Sequence, residues 1–196
     1  MSMFDLNSVE EKNSGSGKAD LYIFPGIRRV VIQGWESGES SQGNPLIKVK
    51  LITKAALDSG TDSARDFFFP LTEKAQEISM RKIKHIVTKV TKEENIKSVS
   101  SADEFVAMLN SLTKGKELRM KFTGVEQLYN GEIKERAQIG LPDFAEAVNA
   151  GAEYPVVSDE DSKLTFDKNN QYDFKKLPAD QTPESQVSGG SSGVAW

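Results

Sequence analysis

The chain has no cysteine, so neither a disulfide nor a thiolate metal site can contribute to it, and a reducing compartment suits it. It has one histidine, His85, which excludes a His-rich metal site and leaves little for histidine acid–base chemistry. No apolar run approaches the roughly 18–20 residues that span a bilayer. The opening MSMFDLNSVEEKNSGSGKAD lacks the charged start and apolar middle of a signal peptide. A soluble intracellular protein is therefore expected. Sequence patterns with chemistry attached are missing too: there is no GxGxxG, no GxxxxGKS/T and no HExxH. Neither catalysis nor a cofactor is expected. The run Asp159-Glu160-Asp161 sits in a low-complexity stretch that offers no rigid frame for a metal, so no metal site is expected there either.

Apolar residues are also scarce. They make up 37% of the 196 residues, against about 45–50% in globular chains, a reference that also counts glycine. Part of the chain should therefore lie outside the core of a single domain. The charge distribution says which part. Net charge is −4, but residues 1–20 hold four acids against two bases, and residues 153–196 hold eight acids against four lysines. Of the 29 acids and 25 bases in the chain, 17 and 19 remain between these ends. A slightly basic body thus lies between two acidic ends. Residues 1–20, with Ser-Gly-Ser-Gly at 14–17, read as a flexible arm. Residues 21–150 read as the folded domain. Residues 151–196, rich in Asp, Ser, Asn, Gln, Pro and Gly, read as an acidic low-complexity tail.

Within the body, Ile27–Trp35 reads as a first strand rich in β-branched residues. A loop at 34–45 punctuated by Gly34, Gly38, Gly43 and Pro45 leads to a second strand, Leu46–Thr53. There Ile47, Val49 and Leu51 share one face, and Lys48 and Lys50 the other. Asp58-Ser59-Gly60 and Thr61-Asp62 are turn chemistry, and Asp66–Phe69 forms a short third strand. A helix from Thr72 carries Ala75, Ile78, Ile83, Ile86, Val87 and Val90 along one stripe. A second has Ser101 and Glu104 as a capping box, Phe105, Met108, Leu109 and Leu112 as its apolar face, and Gly115 as its stop. Lys116–Phe122 alternates as a fourth strand. Asn130-Gly131 is a strong hairpin signal leading into a fifth, Ile133–Ile139, and a short helix is expected from Leu141 to Val148. Three strands, a helical segment and two strands suit a mainly β fold of the OB type, a five-stranded Greek-key barrel with helices between strands 3 and 4. An α+β sheet with helices on one side is the main alternative.

Turning every strand's apolar positions inward leaves Lys48, Lys50, Arg119, Lys121, Lys134 and Arg136 on the outward side, with Arg29 nearby on strand one. Single-stranded nucleic acid is held by a basic groove combined with aromatic faces for base stacking. Trp35 at the mouth of the glycine loop, Phe67 on strand three and Tyr129 beside the hairpin turn are the candidate platforms. The same cations also suit a merely solvated strand surface, and Trp35 and Phe67 also suit a core. Phe67 and Phe69 share one face of strand three and Phe68 takes the other.

The run FPGIRRVVIQGWESGESSQGNPLIKVKL, followed by FFFPLTEKAQEISMRKIKHI, resembles the small single-stranded DNA-binding proteins of tailed bacteriophages. The shared pattern is Pro25-Gly26 before strand one, the loop series Gly34, Glu36, Gly38, Ser40, Gly43 and Pro45, and Leu71, Thr72, Lys74 and Ala75 at the start of the helix. The resemblance covers about residues 21–90 and more loosely 116–140. It implies an OB-fold protein that coats single-stranded DNA during phage replication or recombination, in the cytoplasm of an infected bacterium, without catalysis. It also implies a tail that meets replication or recombination proteins. Here that tail closes on Gly193-Val194-Ala195-Trp196, with a terminal aromatic but no adjacent acids, so Trp196 is the candidate partner-binding residue. A homo-oligomer is compatible with the sequence. The rival reading is a protein–protein adaptor or phage assembly module that binds no nucleic acid.

Overall fold

The computed structural model describes residues 21–140, 144–149, 157–158 and 160–178. The N-terminal arm and Trp196 therefore lie outside the described residues. The fold is mainly β. Strands β1 (Gly26–Glu39), β2 (Pro45–Thr53), β3 (Arg65–Pro70), β4 (Glu117–Tyr129) and β5 (Glu132–Ile139) join in the order β3-β2-β1-β4-β5. Every pairing along this path is antiparallel. Helices α1 (Lys54–Ser59), α2 (Gln76–Val87) and α3 (Ala102–Thr113) complete the framework, with α2 and α3 between β3 and β4 as expected. No helix among the described residues is long and apolar enough to cross a membrane.

The expectation of a closed five-stranded barrel is not met. The sheet has seven strands, and among the described residues no ladder joins β3 to β5. The two extra strands both pair with β4: β6 (Ala145–Asn149) antiparallel to it and β7 (Phe174–Lys175) parallel to it. Part of this contradicts the helix expected to run to Val148, which is instead the strand β6. Its small residues Ala145 and Ala147 alternate with Glu146, and β4 supplies ladder partners that a short isolated helix would lack. Residues 160–178 likewise do not trail away as a tail. Phe174 is buried against Gly124, where a Cβ would sit 2.2 Å from the Phe174 ring, so only glycine permits this approach.

One core fills the inner side of the curled sheet. Ile47, Val49 and Leu51 of β2 and Leu118, Met120 and Phe122 of β4 are fully buried, as their alternation requires. Ile83, Ile86 and Val87 of α2 and Leu109 of α3 join them. Ser101 caps α3 through its hydroxyl, which accepts the Glu104 N–H at 3.2 Å. Asn130 and Gly131 both take positive φ (53° and 80°), as a two-residue type I′ hairpin turn demands. α1 was not legible as a helix: its turn-forming residues fold into six helical ones between the Thr53 cap and Gly60, at φ 70°.

In β1 the strand twice departs from plain alternation. It runs on to Glu39, leaving only Ser40–Asn44 as the turn. Its register to β2 also slips between Ile32 and Gly34, so that Gln33 is an extra, bulged residue. Before the bulge Val30 and Ile32 point inward, and after it Trp35 does. Asn110 of α3 fastens the site, its side chain accepting the Trp35 N–H at 2.8 Å and donating to the Trp35 carbonyl at 2.9 Å.

Candidate nucleic-acid interface

Register places the predicted cations on a common outward face. Arg29 lies opposite Arg119, and Lys48 lies between Glu36 and Phe68. Lys50 is opposite Asp66, Arg136 opposite Val125, and Lys134 opposite Gln127. A shared face is not a shared environment, however, and the cations divide into two groups.

The first group is held by carboxylates, two of them on the stretch that carries β6 and β7. Arg119 is 5% exposed. Its guanidinium sits 3.2 Å from the Glu146 carboxylate and donates to the carbonyls of Val157 (3.2 Å) and Ser158 (3.3 Å). Glu146 also accepts the Ser162 hydroxyl and the Lys163 N–H, each at 2.8 Å. Burial alone would raise its pKa, but these donors and Arg119 together hold it below the usual carboxylate range. Lys121 pairs with the buried Asp173 at 2.9 Å. Asp173 is likewise lowered, against burial, by the Asp167 N–H and Lys121. Arg29 pairs with Glu117 at 2.7 Å. Arg119 and Lys121 are thus corrected from ligand contacts to the anchors of β6 and β7. Of the acids that claim them, Asp173 lies in the stretch whose composition suggested no fold and Glu146 in residues expected to form a short helix.

Two aromatic assignments are corrected as well. Trp35 is 2% exposed, its indole N–H donates to the Thr113 hydroxyl at 2.8 Å, and its ring lies 5.9 Å from that of Phe69. The Gln33 bulge is what turns it inward. Phe67 is 7% exposed and packs 5.2 Å from the Phe122 ring. Neither offers a face to a base. Phe68 does: it is 52% exposed on the outward face of β3.

The second group gathers where the free edges of β3 and β5 confront each other. A cleft of about 230 Å³ there is lined by residues 65–69 of β3, residues 136–139 of β5, and Lys82 of α2. Lys82 reaches across to donate to the Ile139 carbonyl at 2.5 Å. Burial pushes the Lys82 ammonium below its usual pKa, and burial followed by repulsion from Arg136 does the same to Arg65. Among the described residues no carboxylate forms an ion pair with Arg65, Lys82 or Arg136. The one acid in the lining, Asp66, has its carboxylate 3.8 Å from Lys48, which Glu36 holds at 2.6 Å. Lys50 stands exposed beside them. Further along β5 toward the hairpin, Lys134 lies 5.1 Å over the exposed Tyr129 ring and 3.5 Å from Glu132. These two remain available to a ligand.

Arg65, Lys82 and Phe68 were thus absent from the predicted set. For Phe68 the signal was present in the alternation of Phe67-Phe68-Phe69. A barrel expectation brings sheet edges together, but nothing in the sequence placed Arg65 and Lys82 where β3 and β5 meet. His85 takes a structural place: its Nε2 accepts the Ala145 N–H at 3.2 Å, and its ring lies 4.6 Å from that of Phe144. No family model matches the chain, and no curated protein matches it.

Proposed function

We propose that this chain is a non-catalytic, sequence-tolerant single-stranded DNA-binding protein. It would act in phage replication or recombination, in the cytoplasm of an infected bacterium, with its ligand laid across the β3–β5 cleft. The observation that carries this reading is the convergence of Arg65, Lys82 and Arg136 on one cleft beside the exposed Phe68, none of the three in an ion pair among the described residues. Concentrating three cations where two are already discouraged by burial costs stability, and a polyanion would relieve that cost. Phe68 offers a face to an unpaired base, which a base stacked inside a duplex cannot use.

The strand order supports the same reading. We take the sheet as an OB barrel opened along the β3–β5 seam and enlarged by β6 and β7 on β4. In that fold the surface of strands 2 and 3, with the loops between strands 1 and 2 and strands 4 and 5, receives the strand of nucleic acid. Here that surface carries Lys48, Lys50 and Phe68, and the second loop is bordered by Tyr129 and Lys134. Contact with replication or recombination proteins, through the stretch that includes Trp196, rests on the phage resemblance.

The test is a gel shift with labelled oligo-dT and duplex of equal length, repeated across salt concentrations. We expect the single strand to be preferred, with log affinity falling linearly in log salt at about −0.7 per phosphate neutralised. Binding to neither probe, or affinity indifferent to salt, would sink the proposal in favour of the adaptor reading.

A further inference from the structure

Ahead of β1, residues 21–24 present two exposed aromatics, Tyr22 (50%) and Phe24 (42%), with rings edge to face at 6.2 Å. Ile23 between them is buried in the core, so its two neighbours point outward, as extended chain requires. The segment is fastened to the start of β3. The Ser63 hydroxyl donates to the Leu21 carbonyl at 2.5 Å, and the Arg65 guanidinium to the Ile23 carbonyl at 3.1 Å. Tyr22 and Phe24, with Ser63, Ala64 and Arg65, line a cleft of about 310 Å³. Arg65 is therefore a wall of two clefts, this one and the β3–β5 seam.

We propose that Tyr22 and Phe24 form a second base-stacking subsite, so that one nucleic-acid strand runs from Phe68 past Arg65 onto this aromatic pair. The inference rests on the reading of the seam as a single-strand site and extends it. Its chemical ground is the order of groups: aromatic platform, guanidinium, aromatic platform. A single strand presents bases separated by phosphates and matches that order. A protein partner could cover exposed rings as well, but the Arg65 guanidinium, held by the Ile23 carbonyl and without an ion-paired carboxylate among the described residues, adds positive charge between them that favours an anionic occupant. The charge selects a polyanion.

The test uses the full chain and oligo-dT from about 3 to about 15 nucleotides, within and beyond the span one OB fold covers. Tyr22→Leu with Phe24→Leu keeps the apolar cover of Ile23 and removes both rings, and Phe68→Leu does the same at the seam. Melting temperatures are compared to verify the fold. We expect Phe68→Leu to weaken every length. The double variant should bind the shortest oligonucleotides as the wild type does and lose about 5- to 100-fold on the long ones, with an unchanged salt slope. Tyr22→Phe, which keeps the ring, should behave as wild type. A double variant that matches the wild type at all lengths, or loses equally at the shortest, would overturn the second subsite while leaving the seam standing. A wild-type chain that binds no oligonucleotide overturns both.

Discussion

Arg119 and Arg136 are the same residue type on the same outward face of adjacent strands, yet they do opposite things. Arg119 is enclosed by Glu146, its cross-strand neighbour on β6, and by the carbonyls of Val157 and Ser158, whereas Arg136 stands exposed in a cleft beside Arg65 and Lys82. The difference comes from what the chain lays over each strand. Glu146 and Asp173 bring carboxylates to the first half of β4, whereas toward β5 the stretch that carries them offers Lys168, which pairs with Glu135, and among the described residues no carboxylate pairs with Arg136. A cation's position in an alternating strand therefore decides which way it points, and its partners decide whether it is structure or site.

That contrast can be broken first at the level of stability. Arg119→Ala should cost about 3–5 kcal/mol in chemical denaturation, because it leaves the buried Glu146 carboxylate uncompensated. Arg136→Ala should stay within about 0.5 kcal/mol. Equal losses would erase the distinction. The aromatics offer a parallel pair. Trp35→Ala should lose about 3–5 kcal/mol from the cavity it opens, while the exposed Phe68→Ala should leave the melting midpoint near wild type and weaken oligo-dT instead. A Trp35→Ala chain that stays stable but loses oligonucleotide binding would restore the sequence-based assignment.

A smaller effect sharpens the account of the covering segment. Glu146 and Asp173 have depressed pKa values in the fold, so each contributes stability that is fully present above the unfolded carboxylate range near pH 4. That contribution is lost as pH falls through the lower folded values. Below about pH 4, amide exchange in β6 and β7 should therefore accelerate before that in β1 and β2. Glu146→Gln should remove part of this dependence, and simultaneous exchange of all strands would argue against separate anchoring.

Much of the fold was legible because alternation and turn chemistry are local. Ile47, Val49 and Leu51 announced a half-buried strand, Asn130-Gly131 a hairpin, and Ser101 with Glu104 a helix start. What was not legible depends on contacts distant in sequence. The Gln33 bulge reverses the facing of Trp35, and its backbone is held by Asn110, 75 residues away. Glu146 and Asp173 meet Arg119 and Lys121 only because β6 and β7 pair with β4. Phe174 can dock only because position 124 is glycine, which no pattern around Phe174 foretells. The candidate site was half read for the same reason. Lys48, Lys50, Lys134 and Arg136 follow from strand alternation and Tyr129 from the hairpin turn, while Arg65 and Lys82 join them only through the approach of two sheet edges.

The most direct trial of the two-group account is the salt dependence of oligo-dT affinity for Arg136→Gln beside Lys121→Gln. The account predicts that Arg136→Gln flattens the slope of log affinity against log salt by about 0.7, the loss of one phosphate contact, while Lys121→Gln leaves it unchanged. A slope that flattens for Lys121→Gln and not for Arg136→Gln would contradict it.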